Sequence, residues 1–407
     1  MVEGKVEVSR MKKLQAKILA ASLALSAFSL TCFADTFTNH QTGEVLHGYL
    51  AGQAENGETI VSTKEKDQVK LDLAQWQVVT DRLGRNNKVI ILTIDDEIEY
   101  EIETQALEQE VAKLPSEGPL FILFEIDTPG GRGDLTQRIC GAITQIKGCP
   151  TVAFVKGGKY GGALSAGAAV ALACDKIYMA GNTVIGAATA IAISETGRPE
   201  SLKEAFGEEV GEKFASAWRA YLASLAERNR RPGLLARAMV DRNTEVVEVS
   251  DANKRLFIDP VNKKPQQQLV HTWSKKGSLL TLTAAEAVGC GIADKVINSR
   301  QELLGKLDAA GAEIVMDNGI QEARTELKRA MGQVNRIRKS IDLKIAQSKY
   351  PHPKPKVLEI LRSAKSEFQT LIKLAKKYPD LELDVQSLEK ELNSIEAAYQ
   401  DIKRKQP

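Results

Sequence analysis

The sequence predicts an α/β protein with a small β module in front of it and a helical tail behind. Three observations carry that class. Between residues 87 and 300, unbroken apolar runs of strand length alternate with helical stretches, as expected for parallel strands buried on both faces. Residues 35–86 hold short alternating runs punctuated by Gly and Asn-Gly. Beyond residue 300 the composition turns to Lys, Glu, Gln and Leu with helical periodicity, and no Gly occurs after Gly332.

The elements follow in chain order. Lys12, Lys13 and Lys17 precede a Leu- and Ala-rich apolar stretch that ends at Cys32-Phe33-Ala34, the pattern of a secretory signal peptide. Residues 1–34 are therefore expected to be removed, with the ten residues before Met11 read as an upstream start. That removal takes away five cations and two acids, so the net charge of +2 becomes −1. The exported chain is expected to lack a transmembrane helix, since no later apolar run is long enough to span a bilayer. An uncleaved anchor is the alternative and would leave the protein membrane-associated. In the β module, Val45-Leu46-His47-Gly48-Tyr49-Leu50 and Thr59-Ile60-Val61 read as strands.

The core domain opens with Val89-Ile90-Ile91-Leu92, a helix over 101–114, and Leu120-Phe121-Ile122-Leu123-Phe124, which together make a βαβ unit. A helix over 135–146 and a third buried strand over 151–155 follow. In the tail, the prolines at 351, 353, 355 and 379 divide the helical pattern into two or three helices folded as hairpins or a short coiled coil. The tail's alternating charges suit a solvated face, or an arm that binds a protein partner.

Composition excludes several functions. With 43% hydrophobic and 27% charged residues the chain is globular rather than disordered. A net charge near zero argues against a nucleic-acid binder. Only 4 His occur and no Cys/His array has ligand spacing, so no metal centre is expected. Cys140, Cys149, Cys174 and Cys290 read as small core residues rather than disulfide partners.

Two segments carry candidate chemistry. Asp127-Thr128-Pro129-Gly130-Gly131 comes directly off a buried strand, where α/β sheets bind ligands, and its glycines allow adjacent backbone N–H groups to point outward together. Such donors hold a developing oxyanion. Further on, Gly161-Gly162-Ala163-Leu164-Ser165-Ala166-Gly167 places Ser165 at a helix opening among residues too small to cover it, with the Ala166 N–H beside it. Taken singly, the first suits an ordinary turn and the second a close-packed Gly/Ala helix.

Together the two segments resemble the Clp protease/crotonase superfamily, and most nearly its exported or membrane-associated serine proteases of the NfeD type. Signal peptide peptidase A is a more distant relative. The resemblance covers residues 88–300 and rests on Ile126-Asp127-Thr128-Pro129-Gly130-Gly131, Leu164-Ser165-Ala166-Gly167 and Asn182-Thr183-Val184-Ile185-Gly186-Ala187. It implies a stacked βαβ core, Ser165 as nucleophile, and an oxyanion hole from the N–H groups of Gly130, Gly131 and Ala166. It also implies an apolar polypeptide substrate, no cofactor and a homo-oligomer. No His lies between His47 and His271, so a Clp-type Ser-His-Asp triad is not expected. NfeD-type enzymes use a Ser-Lys dyad instead, and the segment Lys213-Phe214-Ala215-Ser216-Ala217-Trp218 looks like the helix that such a lysine opens.

Lys213 is accordingly the candidate base, with Lys156, Lys159 and Lys176 as rivals. A lysine accepts a proton near neutrality only when an apolar pocket lowers its pKa, and Phe214 and Trp218 are expected to supply one. Thr283 and Glu286 are expected to form a capping box in the closing helix. Residues 244–278 are polar and longer than the resemblance leads one to expect. Two other classes fit some residues. The segment Ala171-Leu172-Ala173-Cys174-Asp175-Lys176-Ile177 also suits a crotonase-type coenzyme A enzyme, which export disfavours, and a protease fold without catalysis suits a scaffold.

Overall fold

A computed structural model describes residues 35–54, 58–63, 68–79, 87–194, 196, 198–252 and 254–404. The expected signal peptide lies outside them. The chain divides into two compact units, residues 1–87 with 301–312, and residues 88–300 with 313–407.

In the first unit, β1 (Asp35–Asn39), β2 (Val45–Gln53), β3 (Thr59–Thr63), β4 (Val69–Leu71) and β5 (Trp76–Val79) form an antiparallel sheet in the order β4-β3-β2-β1-β5. Phe37, Leu46, Val61 and Leu71 bury its one apolar face, the alternation expected of a sheet covered on one side.

The second unit is built on six parallel strands in the order β18 (Lys295–Val296), β10 (Lys176–Met179), β8 (Thr151–Val155), β7 (Phe121–Ile126), β6 (Lys88–Ile94) and β19 (Glu313–Asp317). Strand β6 (Lys88–Ile94), β7 (Phe121–Ile126) and β8 (Thr151–Val155) are its buried centre. Helices α1 (Glu101–Lys113) and α2 (Gly133–Gln145) make the crossovers between them. Leu135, Ile139, Cys140 and Ile143 recur at helical spacing along α2 and turn its apolar stripe into the core.

After β8 the chain leaves this sheet. Strand β9 (Gly162–Leu164) joins a second layer of three strands, and α3 (Ala166–Ala173), apolar on every side and wholly buried, returns to β10 (Lys176–Met179). Strand β11 (Val184–Gly186) lies parallel to β9, and β17 (Thr281–Thr283) runs antiparallel to β11. This second layer on a parallel sheet is the stacked α/β core expected from the sequence.

Between β11 and β17 come a hairpin of β12 (Ile191–Ile193) and β13 (Pro199–Ser201), then helices α4 (Leu202–Phe206), α5 (Glu208–Arg228) and α6 (Gly233–Val240). The long polar stretch after them is a second small antiparallel sheet. It consists of β14 (Val246–Asp251), β15 (Lys254–Ile258) and β16 (Gln268–Ser274), in the order β15-β14-β16. Helix α7 (Ala284–Gly289) carries the expected capping box: Thr283 accepts the Glu286 N–H, and Glu286 in turn accepts the Thr283 N–H. Strand β18 (Lys295–Val296) and helix α8 (Arg300–Lys306) follow.

The tail departs from the all-helical expectation at its start. Strand β19 (Glu313–Asp317) pairs with β6 and forms the edge of the parallel sheet. Five residues with Glu and Asp at the ends are too short and too polar to stand out against a helical background. Helices α9 (Gly319–Ser348), α10 (Lys354–Lys377) and α11 (Val385–Arg404) then run between the proline breaks. Ile320, Ala323, Leu327 and Ala330 are buried along α9, which packs on α1. Val357, Leu361, Ala364, Phe368, Leu371, Leu388 and Ile395 form a separate core among the tail helices. Cys140, Cys149, Cys174 and Cys290 are free and buried, as read from the sequence. Among the described residues no helix is long and apolar enough to cross a membrane.

Candidate active site

The site begins at the carboxyl end of β7. Asp127, buried to 3% exposure, places its two carboxylate oxygens against the N–H groups of Gly162 at 3.0 Å and Tyr160 at 3.1 Å. These bonds pin the loop that leads into β9. Thr128, fully buried, then bridges to Ala163: its N–H donates to Gly162 O and its carbonyl accepts the Leu164 N–H. Asp127 and Thr128 thus tie the parallel sheet to the second layer where the two candidate segments meet. An Asp directly off a buried strand was the available signal, and its positioning role was not read from the sequence.

Ser165 stands between β9 and α3 with φ 52° and ψ −116°. This strand-Ser-helix junction holds a non-glycine residue in a sparsely populated conformation, a strain of about 1–3 kcal/mol that persists only where neighbours over-determine it. Its N–H donates to Gly186 O at 2.9 Å and its carbonyl starts α3 by accepting the Ala168 N–H. The side chain is half-buried. A sharp turn of this kind lifts a serine hydroxyl clear of the sheet, as in nucleophile elbows.

Gly130 packs directly on this turn. With φ at 116°, a Cβ there would lie 2.5 Å from Ser165 Cβ and 3.2 Å from the Ala166 nitrogen. Gly131, with φ at 149°, is held by Ile98, whose N–H donates to Gly130 O while its carbonyl accepts the Arg132 N–H, each at 2.8 Å. The structure therefore brings together Gly130, Gly131, Ser165 and Ala166.

One of the three expected oxyanion donors is already engaged. The Gly130 N–H donates to Thr128 Oγ1 at 3.1 Å, and that hydroxyl in turn donates to Asp96 O at 2.7 Å. Thr128 sits two residues back in a tight turn, a local bond that composition alone does not reveal. Among the described residues, the N–H groups of Gly131 and Ala166 have no acceptor. Gly131→Ala is expected to destabilise the fold by about 2–5 kcal/mol, since strain and a clash add. The added Cβ would meet Ile98 O at 2.1 Å. Urea denaturation reads this loss.

Lys213 is placed differently from the expectation. It lies within α5, one turn from the helix start, and is exposed rather than set in an apolar pocket. Among the described residues it has no hydrogen-bond or ion-pair partner, so no Ser165–Lys213 bond is closed. The reason is helical phase. Trp218 is five positions on, about 140° around the helix, and is buried with its indole N–H on Ala188 O at 2.8 Å. Phe214 is 52% exposed and packs edge-on against Phe206.

The rival lysines are all committed. Lys156 pairs with Glu125 at 3.2 Å, a carboxylate that Arg300 also holds, and Lys176 pairs with Asp294 at 2.9 Å. Lys159 donates to the Tyr160 hydroxyl at 2.7 Å, which raises its pKa above the usual lysine value, the wrong direction for a base. The same hydroxyl donates to Asp96 and, as the largest influence there, lowers that carboxyl's pKa.

A parallel α/β sheet stacked on a smaller layer thus carries a strained serine at the junction of β9 and α3, with Gly130 packed against it. Residues 88–263 match the family model described as NfeD1b, N-terminal domain. The membrane protein NfeD1b of Bacillus subtilis (strain 168) is 28% identical over 193 residues, which are 47% of this chain and 35% of that protein. The chain thus spans about a third of the length of that relative. Among solved structures, a variant of the 1510-N membrane-bound stomatin-specific protease aligns with a TM-score of 0.42 and 23% identity, over 58% of this chain and 99% of that one. The 1510-N membrane protease specific for a stomatin homolog, from Pyrococcus horikoshii, aligns at 0.36 and 21% identity, over 57% and 92%.

Proposed function

We propose that this protein is an exported serine endopeptidase in which Ser165 is the nucleophile and Lys213 the general base. The observation that carries the reading is the backbone of Ser165. A φ of 52° between a strand and a buried helix is sparsely populated for a non-glycine residue, and strain of this kind clusters at functional sites. In the proposed reaction the Ser165 hydroxyl attacks the peptide carbonyl carbon and passes its proton to the neutral amine of Lys213. The oxyanion is held by the Gly131 and Ala166 N–H groups, with Gly130 joining if its bond to Thr128 opens. The amine product leaves with a proton from Lys213, and water then hydrolyses the acyl-enzyme.

The neutral lysine is supplied by the substrate. Val210, three residues before Lys213, and Phe214, one after it, are exposed, as is Phe206 packed on Phe214. An apolar peptide segment lying on these side chains strips water from the ammonium and favours the neutral amine. The exposed Phe206, Val210 and Phe214 support a substrate with apolar or membrane-protein-derived segments, and activation then depends on substrate binding. Export through residues 1–34 and assembly into a homo-oligomer belong to the same proposal, with residues 35–86 as a separate β module, residues 87–300 as the protease domain and residues 301–407 as its helical tail.

Labelling with a fluorophosphonate probe and peptide mapping test the reading. Modification at Ser165 in the presence of an apolar peptide is expected. A folded sample that stays unlabelled, with and without peptide, removes the catalytic assignment and leaves a scaffold.

A further inference from the structure

The tail helices reach the same loop that holds Gly131. Helix α1 begins after Tyr100, which makes no side-chain cap, so its first N–H groups need acceptors from elsewhere. They find one 279 residues away in the chain: Asp380, in the turn between α10 and α11, accepts the Glu101 N–H at 2.6 Å through Oδ1 and the Ile102 N–H at 2.9 Å through Oδ2. A carboxylate at a helix N-terminus is the favoured partner for both the open donors and the helix dipole. Around it Tyr100, Ile102 and Leu381 pack against Leu327, Ala330 and Tyr378.

A second grip lies on the other side of the segment. Arg324 of α9 holds Glu103 with two bonds at 2.8 and 3.0 Å and reaches Asp95 at 3.3 Å. Residues 95–103 are therefore fastened by the tail at both ends. In their middle is Ile98, whose N–H and carbonyl fix the peptides on either side of Gly131.

We propose that Asp380 is a positioning residue: the tail, through this cap, sets Ile98 and so aims the Gly131 N–H into the oxyanion site. The inference rests on the reading of Gly131 as an oxyanion donor, but its geometric half stands without it. Capping and catalysis are joined because only Glu99 and Tyr100 separate Ile98 from Glu101, and Tyr100 is extended. The tail is thereby part of the catalytic apparatus rather than an appendage, and a partner that pulls on the α10–α11 turn would turn the enzyme down.

The test uses full-length Asp380→Asn, which keeps the shape and one acceptor oxygen, beside Asp380→Ala. Amide hydrogen exchange is measured across 95–103 and 128–133, together with the rate of fluorophosphonate labelling at Ser165. The expected result is faster exchange in both segments and labelling slower by roughly tenfold to a hundredfold, the size of effect that a small misplacement of a catalytic group produces. Asparagine is expected to fall between the wild type and alanine, at unchanged peptide affinity. Faster exchange at Glu101 and Ile102 with 128–133 unaltered would overturn the coupling. A wild-type protein that does not label at Ser165 sinks the catalytic reading instead, and the exchange data still decide whether the cap holds the Gly131 turn.

Discussion

Ser165→Ala is expected to abolish hydrolysis of apolar peptides and all probe labelling at this position while leaving a folded protein. Loss of a nucleophile removes the covalent route entirely, so the rate should drop by at least ~10³-fold. The companion variant Ser165→Gly separates catalysis from architecture. Glycine adopts the backbone conformation of Ser165 without the steric penalty, which removes about 1–3 kcal/mol of strain and adds about 0.5–1 kcal/mol of chain entropy cost. The inactive glycine variant should therefore be more stable than the wild type by ~1 kcal/mol, read from denaturation midpoints. That combination is the mark of a residue held in strain for function. A glycine variant no more stable than the wild type would mean that the turn is relaxed around serine, and the argument from strain would fall with it.

How much of this was legible in the sequence depends on the range of the interaction. Buried strands announce themselves through unbroken runs, so β6, β7 and β8 were placed to within a few residues, and the Thr283–Glu286 capping box was read from a three-residue spacing. The meeting of Gly130 with Ser165 was reached only through the family resemblance, because Gly130 follows β7 of the parallel sheet and Ser165 follows β9 of the second layer, and the bridge from Thr128 to Ala163 that joins them has no sequence pattern. Side-chain direction was not legible. Whether a residue five positions from Lys213 shelters it depends on which face of α5 is packed, and the run Lys213-Phe214-Ala215-Ser216-Ala217-Trp218 has small or apolar residues on every face. The bond from the Gly130 N–H to Thr128, and the cap that Asp380 supplies to α1, are decided by distances of about 3 Å between groups whose sequence separation is either trivial or enormous. Neither leaves a periodic trace.

Lys213→Ala should reduce hydrolysis by ~10²–10⁴-fold, the usual contribution of a general base, without measurable loss of stability. The stability half follows from exposure: Lys213 is in solvent with no partner among the described residues, and removing such a side chain changes folding by less than ~0.5 kcal/mol. Lys159→Ala is the matched control. Its ammonium sits six residues before Ser165, yet it is held charged by Tyr160 with Asp96 nearby, so its removal should leave the rate of peptide hydrolysis within about twofold. Phe214→Ala adds the third comparison. If a bound apolar peptide is what desolvates Lys213, loss of this exposed ring should lower activity mainly through weaker binding of apolar substrates, and small polar substrates should be hydrolysed poorly by wild type and variant alike. Full activity in Lys213→Ala with loss in Lys159→Ala would transfer the base to the other side of the serine and would make Tyr160 and Asp96 its partners in proton transfer.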